Sequence, residues 1–327
     1  MIERMGVIGA GAWGTALAQV AASAGRDTVI WALEPEVVDA INDSHENPLY
    51  LPGLPLAPSL RATGDLAELG TCDAWLVVTP AQHMRSVLEQ APRTGVPMVL
   101  CSKGIEEDSG KLLHQVAAEA CPGASIAALS GPSFADEVAA GLPTAVTLAA
   151  RKDEIARALR DRLARPTFRI YMSDDVAGAE VGGAVKNVLA IACGVVGGRD
   201  LGENARAALI ARGFAEMTRF GVAMGAKAET LAGLSGLGDL VLTCSSTSSR
   251  NYSLGKGLGE GRSAEELLSD RRTVAEGAHT APVLARVARE RGIEMPIVDS
   301  VVRLLKGASV DSILEELLSR PPRSEGF

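Results

Sequence analysis

Three stretches of this 327-residue chain place ionisable side chains among glycines and hydroxyls at spacings that suit proton transfer and anion binding. In Val181-Gly182-Gly183-Ala184-Val185-Lys186-Asn187, one lysine and one amide stand among small apolar residues. On a helix Gly182, Gly183, Ala190 and Gly194 fall three, four or eight positions from Lys186, leaving bare backbone beside the ammonium. That face suits either close helix packing, with the lysine snorkelling to water, or the floor of a ligand cleft. The second stretch, Leu234 to Cys244, sets Asp239 and Thr243 four apart, hence on one helical face, beside further glycines. Its continuation through Ser245 to Asn251 offers the Arg250 guanidinium with hydroxyl and amide groups, which suits a phosphate gripped at two points; a solvated serine loop explains the same composition. The third, Ser102-Lys103-Gly104, follows an apolar run and carries one more cation.

The elements that must hold these groups begin at Met5. A short apolar strand runs into Gly9-Ala10-Gly11-Ala12-Trp13-Gly14 and then into the helical run Thr15 to Ala24, so G-x-G-x-x-G stands in strand, turn, helix order. Gly9 permits the tight turn, Gly11 lets a diphosphate approach the backbone, and Gly14 lets helix pack on strand. A second strand, Thr28 to Trp31, leads to Glu34, placed to accept bonds from ribose hydroxyls. Residues 42–59, rich in Pro and polar groups, read as a surface connection. Strand patterns recur at Leu60 to Thr63, Ala74 to Thr79, Pro97 to Cys101, Ile126 to Leu129, Thr144 to Leu148 and Thr167 to Met172; beyond Ser173 to Gly178 the pattern is helical. The expected architecture is α/β: a Rossmann-like, doubly wound, mainly parallel sheet over residues 1–175, then an all-helical domain over 176–327.

Bulk properties narrow the classes further. Hydrophobic content is 47%, drawn from Ala, Val and Leu more than from aromatics. With no expected membrane span and no room for a signal peptide before the first strand, the chain reads as cytoplasmic. Five scattered cysteines without C-x-x-C spacing argue against a disulfide framework or a metal site. A formal net charge of −8 without a basic run argues against nucleic acid or an anionic membrane as the main partner.

Together the motifs resemble the bacterial-type NAD(P)-dependent glycerol-3-phosphate dehydrogenases over nearly the whole chain. The resemblance is carried by G-A-G-A-W-G-T-A-L-A at the start, S-K-G-I-E from Ser102, S-G-P-S-F-A from Ser130, G-G-A-V-K-N from Gly182 and N-A-R-A-A-L-I-A-R-G from Asn204. It continues through G-L-G-D-L-V-L-T-C from Gly236, S-R-N from Ser249 and V-A-E-G from Val274. It implies reversible reduction of dihydroxyacetone phosphate to sn-glycerol 3-phosphate by NAD(P)H, a step that supplies the glycerophospholipid backbone, with no metal. By the same resemblance Lys186 is the proton donor and acceptor, and Lys103, Gly131, Ser133, Asn187, Asp239, Thr243, Ser249, Arg250 and Asn251 line the substrate. Gly9, Gly11, Ala12, Trp13, Gly14, Glu34, Lys103, Ala135, Arg250, Val274 and Glu276 meet the cofactor. Asp239 and Asn187 are expected to orient Lys186, and the bare helix face beside it to form the cleft floor. Two departures stand out. Ala32-Leu33-Glu34 lacks the basic or His side chain of some relatives, so NADH is expected to serve at least as well as NADPH; and Thr79 to Met84 is less aromatic than in many members. An alanine-rich face at Ala205, Ala208 and Ala211 suits a homodimer or intramolecular packing equally. A dehydrogenase of another hydroxy acid or sugar, or a nucleotide-sensing protein without turnover, is the rival reading.

Overall fold

The computed structural model describes residues 2–269 and 275–319. The chain divides into two compact units, Met1–Ser102 with Leu112–Ala179, and Lys103–Lys111 with Glu180–Phe327. A single cut near residue 175 therefore misses one feature: a short loop from the middle of the first unit's sequence packs with the helices.

In the first unit apolar runs of four to seven residues form β1 (Arg4–Ile8), β2 (Asp27–Trp31), β3 (Leu60–Thr63), β4 (Ala74–Val77), β6 (Ile126–Ser130), β7 (Thr144–Ala150) and β8 (Phe168–Ser173), with the shorter β5 at Met98–Leu100. They alternate with α1 (Ala12–Ser23), α2 (Pro35–Ser44), α3 (Met84–Gln90), α4 (Leu113–Ala120), α5 (Ala135–Ala139) and α6 (Asp153–Leu163). The sheet order is β3-β2-β1-β4-β5-β6-β7-β8, parallel except where β7 runs against β6. Side chains alternate across it: Met5, Val7 and Leu76 join a core containing Leu17 of α1, Ile41 of α2 and Leu159 of α6. Ile8, Trp75 and Val77 join a second core with Leu88 of α3 and Ala117 of α4. The inner strands, buried on both faces, read as continuous apolar runs for that reason, whereas the edge strand β8 exposes Tyr171 and Met172. The order reverses beside β1, whose neighbours are β2 and β4, and the glycine-rich turn leaves β1 at its carboxyl end.

The connection after α2 lies mostly on the surface, as expected, but three of its side chains turn inward. Asn47 is fully buried, and Leu51 and Leu56 are buried with it. Asn47 departs from the polar composition of its segment by spending its amide on the backbone of the glycine-rich turn rather than on water. Nearby, Asn42 closes the outer edge of β3: its Nδ2 donates to Ala62 O at 3.0 Å and Ala62 N donates to its Oδ1 at 2.9 Å.

The second unit is built from α7 (Val176–Gly198), whose first turn is counted with the sheet unit, α8 (Glu203–Ala223), α9 (Ala228–Leu231), a π-helical turn at Leu234–Gly238, α10 (Asp239–Cys244) and α11 (Arg250–Gly259). The rest is α12 (Ala264–Leu267), α13 (Glu276–Glu290), α14 (Pro296–Leu305) and α15 (Val310–Ser319). Helix α11 carries Gly255, Gly257 and Gly259, each of which costs about 1 kcal/mol in helix propensity. Packing offsets that cost. A Cβ on Gly255 would lie 1.9 Å from Ile191 O, one on Gly194 would lie 2.1 Å from Tyr252 O, and one on Gly198 would lie 2.2 Å from Lys256 O. Helices α7 and α11 thus meet backbone to backbone. By length and a mean hydropathy of 1.5 over 18 residues α7 could cross a bilayer, which the sequence reading did not anticipate; 89% of that window is buried inside the protein, as in a core helix.

Candidate active site

In the sheet unit the turn after β1 is shaped by its glycines. Gly9 adopts φ +110°, and its N–H donates to Trp31 O at 3.1 Å. A Cβ on Gly14 would fall 1.9 Å from Gly9 O, so only glycine lets α1 start this close to the strand. Gly11 has nothing within 4 Å of where a Cβ would stand, and no side chain caps the first turn of α1. Backbone amides at a helix N-terminus and open space beside them are what a diphosphate requires. Asn47 braces this turn: its Nδ2 donates to Ala10 O at 2.9 Å and to Thr15 Oγ1 at 2.8 Å. Its distance in sequence from the glycines, amid turn-forming residues, hid that role. Trp13 Nε1 and Thr79 Oγ1 are buried without a partner among the described residues, so polar groups at the carboxyl ends of β1 and β4 still lack a bond. These residues fit the diphosphate of a dinucleotide.

Glu34, which ends β2's loop and begins α2, accepts a bond from Tyr50 Oη at 2.8 Å. Burial, that hydrogen bond and the carboxylate's charge push the Tyr50 phenol up to about 12. At the end of β6, Gly131 has φ +152°, and a Cβ there would lie 2.9 Å from Val146 Cα; Ser133 Oγ donates to Gly131 O at 3.0 Å. Ala135 opens α5.

The second unit brings Lys103, Lys186, Asp239 and Thr243 together. Lys186 Nζ, on α7, donates to Asp239 Oδ1 at 2.6 Å and to Thr243 Oγ1 at 2.8 Å. Lys103 Nζ donates to the other oxygen, Oδ2, at 2.7 Å. Asp239 and Thr243, one helical turn apart on α10, face α7 as their spacing predicted. Side-chain exposure is 8% for Lys186, 1% for Asp239 and 14% for Lys103, so one carboxylate serves two nearly desolvated ammonium groups. Burial pushes the Lys186 ammonium down; Asp239 restores part of that and Lys103 lowers it again, to about 8. Burial alone would raise Asp239, but the two lysines outweigh it and hold its carboxyl below the usual range.

Asn187 takes no part in holding the ammonium. It is buried, yet its side chain makes no hydrogen bond to Lys186, whose second partner is Thr243. Two positions of the bare face beside Lys186 are filled: a Cβ on Gly182 would lie 2.2 Å from Ser235 O, and Gly194 is covered by α11. Gly182 and Gly194 therefore serve helix packing rather than a cleft floor.

Ser249 caps α11, its Oγ accepting from Tyr252 N at 3.2 Å, which leaves its hydroxyl proton free to donate. Arg250 opens the helix with its side chain exposed. Asn251 Oδ1 accepts from Gly277 N at 2.9 Å, tying α11 to the first turn of α13 and directing its NH2 elsewhere. A Cβ on Gly277 would meet Asn187 O at 2.5 Å and Asn251 Oδ1 at 2.8 Å, so α7, α11 and α13 interlock there. Glu276, one residue earlier, is pushed up by burial against the pull of Lys103, Arg250 and Lys186. Val274 lies outside the described residues. Cys244, next to Thr243, is a buried free thiol held well above its usual value by its contact with Cys193 and by burial, so it stays neutral and unreactive. Among the described residues no group of His, Cys, Asp and Glu could hold a metal ion.

Comparison with known proteins supplies the context. Residues 4–156 match the model for the NAD-dependent glycerol-3-phosphate dehydrogenase N-terminus, and residues 175–315 match that for its C-terminus. The chain is 62% identical over 325 residues to a glycerol-3-phosphate dehydrogenase [NAD(P)+] of Erythrobacter litoralis, covering 99% of this chain and 98% of that one. It is 60% identical over 327 residues to the protein of the same name from Parvibaculum lavamentivorans, again with 99% and 98% covered. The crystal structure of glycerol-3-phosphate dehydrogenase from Coxiella burnetii superimposes with a TM-score of 0.93 at 39% identity, covering 98% of this chain and 99% of that chain. A D-mandelate dehydrogenase shares the fold at a TM-score of 0.64 and 14% identity. With both halves matched and relatives of this identity aligned end to end, the chain belongs to the NAD-dependent glycerol-3-phosphate dehydrogenase family.

Proposed function

We propose that the protein reduces dihydroxyacetone phosphate reversibly to sn-glycerol 3-phosphate, with Lys186 as the acid that protonates the new hydroxyl. When bound, NAD(P)H supplies the hydride to C2 of the ketone. As that carbonyl gains electrons its oxygen becomes an alkoxide, and the Lys186 Nζ proton moves to it, leaving a neutral amine. The observation that carries this reading is the buried Lys186 held by Asp239 and Thr243 with Lys103 close by: an ammonium near 8 is charged at neutral pH and gives up its proton readily. Asp239 fixes its direction and Lys103 supplies the second positive charge for the oxygen. The uncapped proton of Ser249, the Arg250 guanidinium and the amide end of Asn251, all at the start of α11, form a phosphate grip at a helix N-terminus. Gly131, Ser133 and Asn187 are assigned to the remaining substrate atoms. The turn Gly9 to Gly14 with Ala12 and Trp13, together with Glu34, Ala135, Val274 and Glu276, is assigned to the dinucleotide, Glu34 to its ribose. That carboxylate repels a 2′-phosphate, so NADH serves at least as well as NADPH. Five free, buried cysteines suit a reducing compartment such as the cytoplasm.

The test is a spectrophotometric assay of NADH and NADPH oxidation with dihydroxyacetone phosphate, unphosphorylated ketones and keto acids. Lys186→Met should retain cofactor binding and lose turnover by about three orders of magnitude, at the upper part of the range for loss of a positioned acid. Near-normal turnover in that variant, or equal turnover on ketones without phosphate, overturns the assignment.

A further inference from the structure

Lys103 reaches Asp239 from a loop, and the loop's own anchorage is not part of any role assigned above. The segment Lys103–Lys111 packs with the helical unit although the sequence on both sides of it belongs to the sheet unit. It is closed on itself: Glu106 N donates to Lys111 O at 3.1 Å and Gly110 N donates to Glu106 O at 2.9 Å. Glu106 and Ile105 are buried, and Ser109 Oγ donates to the Glu106 carboxylate. This closed loop meets α13 at two points. Arg286 donates from its guanidinium to Glu107 O at 2.6 Å. Gly110 adopts φ +66°, and a Cβ there would lie 2.8 Å from Val287 Cγ2, with Val287 itself 1% exposed.

We propose that Arg286 and Gly110 are positioning residues for Lys103, pinning its loop to α13 so that the Lys103 ammonium stays on the second oxygen of Asp239. This positioning role rests on Lys186 acting as the proton donor. A lysine side chain reaches Asp239 only if the loop's backbone is fixed, and Lys103 lies four residues from Glu107 and seven from Gly110, at the far end of the closed loop. The contact at Gly110 leaves no room for a side chain without moving α13 or the loop. Arg286 adds a charge-assisted bond from one guanidinium nitrogen to the loop's backbone carbonyl, while its other nitrogen donates to Glu290 at 3.3 Å on α13 itself, which holds the guanidinium in place. Because α13 begins at Glu276, the same helix presents the cofactor-facing carboxylate and holds the lysine loop.

The consequence is electrostatic. Lys186 is faced by Asp239 and Cys244 of α10, Lys103 of the loop and Glu276 of α13. Lys103 depresses the Lys186 ammonium, so moving Lys103 away lets it rise. The experiment measures kcat and KM for dihydroxyacetone phosphate against pH, in the direction of ketone reduction, for the intact protein and for Lys103→Met, Arg286→Met, Arg286→Lys and Gly110→Ala. Lys103→Met should move the basic limb of kcat/KM upward by roughly one pH unit, the loss of a neighbouring cation. Arg286→Met and Gly110→Ala should move it in the same direction by about half as much and raise KM about fivefold, while Arg286→Lys restores most of both. A limb and KM unchanged in Arg286→Met and Gly110→Ala, with Lys103→Met shifted, overturns the positioning inference. A limb unmoved by Lys103→Met overturns instead the proton-donor reading; KM then decides the anchorage, and a wild-type KM in both anchor variants refutes it. Thermal melts within a few degrees of the parent show that the variants are folded.

Discussion

Replacing Asp239 with asparagine tests the electrostatic account of the site most directly. The substitution keeps the shape and removes one charge from between two ammonium groups, 2.6 Å from Lys186 Nζ and 2.7 Å from Lys103 Nζ. At an effective dielectric near 20, each contact is worth about 6 kcal/mol of gross attraction, and the two lysines left behind repel one another. The full sum is never felt, because a lysine can discharge. Releasing the proton of an ordinary lysine at pH 7 costs about 4.6 kcal/mol, from a reference value near 10.4, and Lys186 already lies near 8. The expected outcome is therefore a neutral Lys186 facing a charged Lys103, with a stability loss of about 3 to 5 kcal/mol, the usual penalty for breaking a buried pair. Urea unfolding measures the stability, and the pH dependence of ketone reduction measures the proton: its basic limb should move below pH 7. Adding Lys103→Met to Asp239→Asn removes the orphaned cation and should recover much of the stability but little of the rate. Should Asp239→Asn alone unfold within about 1 kcal/mol of the parent, with its basic limb unmoved, the coupled triad described above is wrong.

Three further outcomes follow from single residues. Glu216 of α8 is 2% exposed and accepts bonds from Ile297 N and Val298 N at the start of α14; burial, partly offset by those bonds, pushes it up to about 7. The folded state thus binds this proton more tightly than the unfolded chain, so stability falls as pH rises from about 4.5 through 7; Glu216→Gln should flatten that slope, a difference on the order of 3 kcal/mol in urea unfolding between pH 5 and pH 8. Gly194→Ala should cost more than about 3 kcal/mol, since its methyl would lie 2.1 Å from Tyr252 O, whereas Gly25→Ala, at φ +71° with nothing within 4 Å, should cost about 1 kcal/mol in the same unfolding assay. Glu34→Gln keeps an acceptor for Tyr50 and removes the charge that repels a 2′-phosphate, so the ratio of kcat/KM for NADPH over NADH should rise about tenfold; an unchanged ratio shows that Glu34 does not set the preference.

Much of this could be read from residue types alone, because the periodicities were strong. The inner strands before residue 175 are short apolar runs with two buried faces, and Asp239 and Thr243 point the same way because one helical turn separates them. What stayed hidden depends on contacts distant in sequence. Three glycines in α11 weaken its helix propensity, and only distant neighbours explain them: Gly255 and Gly259 face the backbone of α7, and Gly257 faces Leu267 of α12. The glycines beside Lys186 invited a ligand, but Ser235 and Tyr252 fill that space. Asn47 looked like a turn residue and instead braces the Gly9 to Gly14 turn from 37 positions beyond Ala10. Asn187 adjoins Lys186 in sequence but on a helix points away from it, so the lysine's second partner had to come from another element, at Thr243.

The placement of Lys103–Lys111 bears on how this family can be recombined. A chimera that takes its first half from one relative and its helical half from another would pair Lys103 and Gly110 from one parent with Asp239, Arg286 and Val287 from the other. Those five positions form one inheritance unit despite the 135 residues and more that separate the loop from its partners. Exchanging the helical half together with the nine residues of the loop should preserve activity where a single crossover near residue 175 would not, and sequences that diverge at Val287 should show compensating change at Gly110.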